Sequence, residues 1–569
     1  MRLHLRGWTR AVVTITGILF LLGMTLPTAG IAQDDVDALQ KKLDQMTREM
    51  EAVRKKIDEM EKKSQEKEEA IDEIDDRLNK AELHTATDKL SFGVELRTRG
   101  DSLHYTDIQM APAALTNMFF ADYPAGFNGA TLAQAQAAMA AMAAGGMIPP
   151  TEKYDADNDI ILTNKFRLNM FAKVSDELSF TGRLAAYKVF GDSTEVKVNQ
   201  GSLGDVTLDG NTSSLPHGDT IRLERAYFNY KFDLGPVPTN FSLGRRPSTE
   251  GPPLEYQNYS LEGGSPLATI INWQFDGASY TMGLEDLTGI PGAAFKLCYG
   301  VGFEGDWGNT YALNAQQPDV DDVHMFGFIA DLFNNGSTSA VLNYAHAWDI
   351  TDGFTGLSVM PFIVSKSGDQ YFFTPNSGGY ISRLQPSTEI GDWDALSLLL
   401  RTNLSERFDK DIDLFLSGSW SHTSPSRTST NPYYELMGMG LLNSNGELES
   451  RDGYMVYLGA VFPMPWRGRF GVEYNYGTKY WFNFTGAEDS LVGSKLAVRG
   501  HVYEAYWHQP IYKEYFFATL GGRYYDYEYS GSGNPLGKPV KIDDLTSLNA
   551  LTPVIDEVWD VYLSLTLRY

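Results

Sequence analysis

Behind Arg2, Arg6 and Arg10 the first apolar run, Ala11 to Leu26, is nearly unbroken and ends in the small residues Gly30-Ile31-Ala32. That order predicts a signal peptide over 1–32, cleaved before Gln33. From Val36 the apolar positions instead recur at alternating steps of three and four: Leu39, Leu43, Met46, Met50, Val53, Ile57 and Met60. After Ser64 and Lys67 the frame resumes with Ile71, Ile74, Leu78 and Ala81. Charged residues fill the positions between, so 34–84 is predicted to be an α-helical coiled coil. A single amphipathic helix lying on another surface is the alternative, but a helix this long and charged has little else to bury its stripe against.

At Leu90 the period drops to two and stays there. Leu90, Phe92, Val94 and Leu96 alternate with Ser91, Gly93, Glu95 and Arg97; at the other end Trp559, Val561, Leu563, Leu565, Leu567 and Tyr569 alternate with Asp560, Tyr562, Ser564, Thr566 and Arg568. Sixteen strands are predicted, near 90–105, 160–174, 178–190, 220–232, 239–246, 268–282, 294–303, 323–333, 338–348, 393–404, 411–422, 453–463, 468–481, 495–508, 515–529 and 557–569. A soluble sandwich also alternates, and connection lengths decide between the two. Short turns at 175–177, 233–236, 334–336, 463–465 and 509–510 alternate with long polar loops at 106–159, 191–219, 247–267, 304–322, 349–392, 423–452, 482–494 and 530–556. Short turns on one rim and long loops on the other predict an all-β transmembrane antiparallel β-barrel of about 16 strands over 90–569, its long loops extracellular. The even count puts both ends on the periplasmic side, with the coiled coil.

Composition narrows the chemistry. The chain carries 73 Asp and Glu against 47 Lys and Arg, a formal charge of −26 that becomes −29 once the three signal arginines are lost. A nucleic-acid partner would need a basic footprint. One cysteine excludes a disulfide framework, a cysteine-based zinc site, an iron–sulfur cluster and C-x-x-C-H haem attachment. The nine histidines show no H-E-x-x-H spacing and there is no G-x-S-x-G elbow, so neither enzymatic activity nor a cofactor is expected. No later segment reaches about 18 consecutive apolar residues, the length of a transmembrane helix.

Several motifs carry a family resemblance: Asn164-Lys165-Phe166-Arg167-Leu168-Asn169-Met170, Gly182-Arg183-Leu184-Ala185-Ala186-Tyr187-Lys188-Val189-Phe190-Gly191-Asp192, Glu224-Arg225-Ala226-Tyr227, and Gly244 to Pro253. With Leu297-Cys298-Tyr299-Gly300 and Gly302-Phe303-Glu304 the chain resembles the domain of unknown function 3373 family, exported barrel-like proteins with an N-terminal helical stretch. The resemblance implies an outer-membrane location and no established substrate. In architecture alone the chain is also similar to porins that carry a periplasmic coiled coil ahead of a trimeric barrel.

If the apolar alternates face lipid, the lumen receives Arg97, Lys165, Arg167, Lys173, Arg183, Arg225, Lys231, Arg401, Arg499, His501 and Arg523, with fewer acids in Glu95, Asp413, Glu473 and Asp560. A cationic wall favours anions; alternatively these arginines pair with loop carboxylates and stiffen the lumen. Arg245 and Arg246, in the Pro- and Gly-rich motif from Gly244 to Pro253, mark either a rigid corner or an anion or substrate contact. Thr131 to Ala144 is predicted to form a helix that enters the barrel as a constriction or lies outside it. Asp155, Asp157 and Asp159 alternate as in calcium loops, yet lack the glycine and bidentate glutamate of an EF-hand, so a solvated loop competes with a weak calcium site.

These readings converge on a porin-like outer-membrane channel for passive diffusion of small hydrophilic solutes or ions, leaning toward anions. The alternative is a structural or conduit barrel that sheathes a redox partner or tethers the envelope. The implied partners are outer-membrane lipid, the barrel assembly machinery that reads the aromatic C-terminal strand, and copies of the chain itself, a trimer being favoured. Deleting residues 34–84 is therefore predicted to leave a folded barrel but to weaken or abolish oligomers; an unchanged oligomeric state in detergent would mean that the coiled coil is not the oligomerisation element.

Overall fold

A computed structural model describes residues 90–191, 221–260, 263–303, 320–352, 356–359, 361–376, 381–384, 387–438, 440–442, 447–486, 488–533 and 535–569. The signal peptide and coiled coil expected over 1–32 and 34–84 lie outside the described residues. Sixteen antiparallel strands close into one barrel. They are β1 (Leu90–Met110), β2 (Glu152–Lys173), β3 (Leu178–Val189), β4 (Ile221–Leu234), β5 (Val237–Arg245), β6 (Asp276–Gly283), β7 (Ala294–Phe303) and β8 (Val323–Asn334). The second half comprises β9 (Thr338–Thr351), β10 (Glu389–Asn403), β11 (Asp413–Pro425), β12 (Arg451–Met464), β13 (Gly468–Gly477), β14 (Gly500–Tyr512), β15 (Phe516–Tyr527) and β16 (Glu557–Arg568). Each strand pairs with its sequence neighbours, and β16 returns to β1 in the register Leu96↔Leu567, Gly100↔Leu563 and His104↔Trp559. Closure leaves no row of unpaired backbone groups at a sheet edge.

The expected strands are all present, with several ends displaced. β6 starts at Asp276 rather than 268, β13 stops at Gly477 and β14 starts at Gly500 rather than 495, because the residues between turn away from the wall. The turn expected at 509–510 lies at 513–515: Pro510 stays in the ladder opposite Phe517, with a register irregularity before Tyr512. A proline has no amide proton to give a ladder and is tolerated at such an irregularity. Short links and long loops alternate as expected, the long ones being 111–151, 190–220, 246–275, 304–322, 352–388, 426–450, 478–499 and 528–556.

The period of two sorts residues by polarity, with the apolar set outside. On β16, Trp559, Val561, Leu563, Leu565 and Leu567 are exposed while Asp560, Tyr562, Ser564 and Thr566 are buried. Phe92, Val94 and Leu96 on β1, Leu396, Leu398 and Leu400 on β10 and Val456 and Leu458 on β12 continue the exterior band.

Long loops at one rim build a second core. Helix α1 (Ala113–Phe120), helix α2 (Leu132–Ala144), the hairpin of Phe362–Ser367 with Gln370–Pro375, and helix α3 (Pro432–Met437) together bury Leu115, Phe119, Phe127, Phe362, Tyr371 and Tyr434. The Phe119 ring centre lies 4.8 Å from that of Phe127 and 4.6 Å from that of Phe362. The first long loop thus joins this cap, and α2 packs there rather than lining the lumen as a constriction. A capping box sets the start of α2: Thr131 N–H donates to Gln134 Oε1 at 2.9 Å and Gln134 N–H donates to Thr131 Oγ1 at 3.4 Å. Thr131→Ala is expected to destabilise α2 by about 1 kcal/mol, read as faster amide exchange across Leu132–Ala144 with no change in the barrel strands.

Candidate functional site in the barrel lumen

Two long loops fold into the barrel. Loop 246–275 leaves the wall at Arg245 and returns at Asp276, which face each other in the ladder and are joined by two guanidinium–carboxylate contacts of 2.8 and 2.6 Å. Between them Leu254, Leu267, Ile270 and Trp273 are buried, as are Trp481, Phe482, Phe484 and Leu496 of loop 478–499. The loops pair where they meet: Asn272 N–H donates to Phe484 O at 2.6 Å, and Phe484 N–H donates to Ile270 O at 3.1 Å. The Asn483 amide donates to Thr269 O and Leu496 O, both at 2.8 Å.

Inward-facing wall residues receive this assembly. Thr269 Oγ1 lies 2.8 Å from Ser397 Oγ, Leu267 N–H donates to Asn343 Oδ1 at 2.8 Å, and the Trp393 indole donates to Phe482 O at 3.2 Å. Around these contacts Val341, Ala345, Trp393, Leu399, Phe415, Met455 and Tyr457 complete a hydrophobic core inside the barrel. Backbone that is neither helix nor sheet is tolerated at such depth only where its polar groups find partners, and the loop–loop and loop–wall bonds supply partners at Asn272, Phe484, Ile270 and Leu267.

The opposite side of the lumen is charged. Arg167 holds Glu224 through two contacts of 3.0 and 2.8 Å and Glu250 at 2.7 Å, with Glu95 at 3.6 Å. Arg183 reaches Glu250 at 3.3 Å and Arg225 reaches it at 3.5 Å. Asp489 takes Arg97 at 2.6 Å and Lys165 at 3.0 Å. Deeper still, Lys495 sits 2.5 Å from both Glu473 and Glu504, and Arg523 donates to Glu504 at 2.7 Å. The Tyr457 and Tyr506 hydroxyls donate to Glu473, and that of Tyr562 to Glu504. Glu250, Asp489 and Lys495 belong to the loops and their partners to the wall, so these ion pairs dock the loops. Burial raises the Glu250 carboxyl, but Arg167, Lys165, Arg183 and Arg225 outweigh it and hold the group well below the usual carboxylate range. Burial likewise opposes Asp489, and Arg97, Lys165 and Arg167 bring it to about 2.

Of the candidate pore-lining residues, Glu95, Arg97, Arg167, Arg183, Arg225 and Arg523 do face the lumen, but as partners in ion pairs rather than as a free positive girdle. Arg401 stands apart and pairs with Glu255 of loop 246–275. Arg499 is not in the wall: it precedes β14 and donates to Trp481 O at 3.0 Å and Ser530 O at 3.1 Å. His501 faces outward, 2.8 Å from the Tyr474 hydroxyl, because β14 carries aromatics on both faces and polarity alone misassigned its register. Arg245 clamps the neck of loop 246–275, and Arg246 begins that loop. Asp155, Asp157 and Asp159 lie exposed on the extended strand β2; Asp157 meets His104 at 2.8 Å, and no cluster of three metal-ligating side chains occurs among the described residues.

Glu224, Glu250, Glu504, Asp489 and Lys495 were missed. Glu224 lies at a bulge between the pairs Arg183↔Arg225 and Leu184↔Leu223, which turns two successive residues inward and defeats strict alternation. The adjacent acidic and basic residues at 224 and 225 in a strand were the available signal.

The family described as protein of unknown function (DUF3373) matches residues 155–569. The chain belongs to that family. No curated protein matches it in sequence. Among solved structures, the DUF3373 chain is similar to OmpT, an outer membrane protein of Vibrio cholerae in trimer form, at 10% identity over 84% of this chain and 99% of that one, TM-score 0.37. It is similar to OprB of Pseudomonas putida at 10% identity over 84% and 94%, TM-score 0.38. An anion-selective porin from Comamonas acidovorans gives 10% identity over 84% and 99%, TM-score 0.39.

Both depressed loop carboxyls ionise more readily folded than unfolded. Their contribution is therefore complete above the unfolded carboxylate range, near about pH 4, and is lost as pH falls through the folded values. Protease resistance of loops 246–275 and 478–499 is expected to be constant from about pH 8 to 5 and to fall only toward about pH 2. Glu250→Gln leaves Arg167, Arg183 and Arg225 facing a neutral group and is expected to cost about 3 kcal/mol of loop docking, read as protease sensitivity at neutral pH.

Proposed function

We propose that the protein is an outer-membrane channel for small hydrophilic solutes or ions whose resting lumen is narrowed by its own loops. The observation that carries this reading is the closed barrel, apolar outside and polar within, with loops 246–275 and 478–499 docked inside. An exterior band of this kind matches hydrocarbon, while an ion-paired interior tolerates water. Wall cations matched by Glu224, Glu250 and Asp489 give little anion preference, so the girdle is read as weakly selective. The chain is read as a passage rather than an enzyme, assembled through the coiled coil in the periplasm and folded by the barrel assembly machinery.

The filled lumen favours a second reading, a structural barrel that conducts nothing. A sheathed redox partner is disfavoured, since Trp273, Trp393, Trp481 and Phe484 occupy the space it would need. Conductance in planar bilayers separates these readings. The full protein is expected to give small, brief openings, and a variant with residues 250–272 replaced by a short glycine linker is expected to conduct several-fold more. Silence from both would overturn the channel and leave the structural barrel.

A further inference from the structure

Arg246 differs from the ion-paired arginines of the lumen wall. Its Nε donates to Ser242 Oγ at 3.1 Å, and its other neighbours are the Cys298 thiol and the Tyr227 phenol. The described residues offer it no carboxylate. Lys296, two positions from Cys298 on the same inward face of β7, also forms no ion pair among them; Asp331 acts on it from beyond contact, and Arg246 opposes it. Arg97, Arg167, Arg401 and Arg523 in the wall each meet an acid instead.

A cavity of about 70 Å³ adjoins Arg246, lined by Ile271, Phe275, Met325, Ile329 and Ala345, with Ser248 and Cys298 as its polar edge. Sequence makes this recess. Across β5 to β8 the facing inward positions are small: Ser242↔Ser279, Ser279↔Cys298 and Cys298↔Gly327, with Gly244↔Gly277 and Gly277↔Gly300 in the next row. A Cβ at Gly300 would come within 3.2 Å of the Phe275 Cβ, so the bare wall is what lets the loop lie close.

A guanidinium that contacts no acid among the described residues, with Lys296 near it and an apolar cavity beside it, complements a small organic anion. An inorganic ion would leave the cavity unfilled, and a neutral solute would leave the guanidinium unmatched. We propose that this recess binds a short amphipathic carboxylate, its carboxylate on Arg246 with Lys296 nearby and its apolar body among Ile271, Phe275, Met325 and Ile329. The proposal deepens the channel reading by naming a solute class, and it rests on that reading for how the ligand arrives.

The test uses the full protein in lipid nanodiscs and 3,3,3-trifluoropropionate, followed by fluorine NMR against empty nanodiscs. Saturable binding is expected, with none for 3,3,3-trifluoropropanol. Arg246→Gln should weaken binding at least tenfold, Arg246→Lys should restore part of it, and Ala345→Leu should weaken it by filling the cavity. Each variant is first checked for gel migration with and without boiling, so that a misfolded barrel is not scored. Absence of saturable binding by the native protein, equal binding of the alcohol, or unchanged affinity in Arg246→Gln would overturn the site. A protein that conducts without binding the probe would refute the recess alone, whereas one that binds it without conducting would refute the channel alone.

Discussion

A guanidinium enclosed by a barrel must meet a negative charge or keep water at its side. In this protein the negative charge arrives on loops. Glu250 meets Arg167, Arg183 and Arg225, Asp489 meets Arg97 and Lys165, and loop Lys495 completes the exchange with wall carboxylates Glu473 and Glu504. The apolar contacts among Trp273, Trp393, Trp481 and Phe484 follow once the loops are inside. Strand register depends on the same constraint, because a slip by one residue would send Arg167 and Arg183 outward at about 2–4 kcal/mol each if the wall faces lipid at mid-depth.

The lumen is consequently two-sided. Over β8 to β12 it is packed and apolar, with Trp393 and Tyr457 wholly buried. Against β1 to β4 the ion pairs are charged and unevenly buried, from 17% exposure for Arg97 and 15% for loop Glu250 down to 4% for Lys165, with Lys495 at 1% deeper in the core. The apolar half is the wall against which the loops are held.

Much of this architecture was legible in the chain. Strict alternation on β1, β2 and β16, and the contrast of short and long connections, were enough to count sixteen strands and to turn Arg97, Arg167 and Arg183 inward. What period two cannot express was lost: the bulge that brings Glu224 inside, and β14, where aromatics on both faces gave His501 the wrong side. Loop destinations were lost for a different reason. Nothing local distinguishes a loop that enters the barrel from one that caps it, so the Ala- and Met-rich helix of 132–144 could be a constriction or lie outside, while the Pro- and Gly-rich stretch from Gly244 to Pro253 read as a corner or an anion or substrate contact. Its partner residues lie at positions 343, 397 and 484, far away in sequence.

Loop 246–275 lies against the inner wall, and the pairing of Glu250 with Arg167, Arg183 and Arg225 depends on it. Thr269 Oγ1 and Ser397 Oγ are 2.8 Å apart, one on the loop and one on β10. Replacing both by cysteine in a Cys298→Ser background and oxidising the folded protein tests this most directly. A disulfide that forms nearly completely, with both thiols shielded from a water-soluble maleimide beforehand, is the expected result. Two thiols that stay reduced and label freely would mean that the loop does not occupy the lumen.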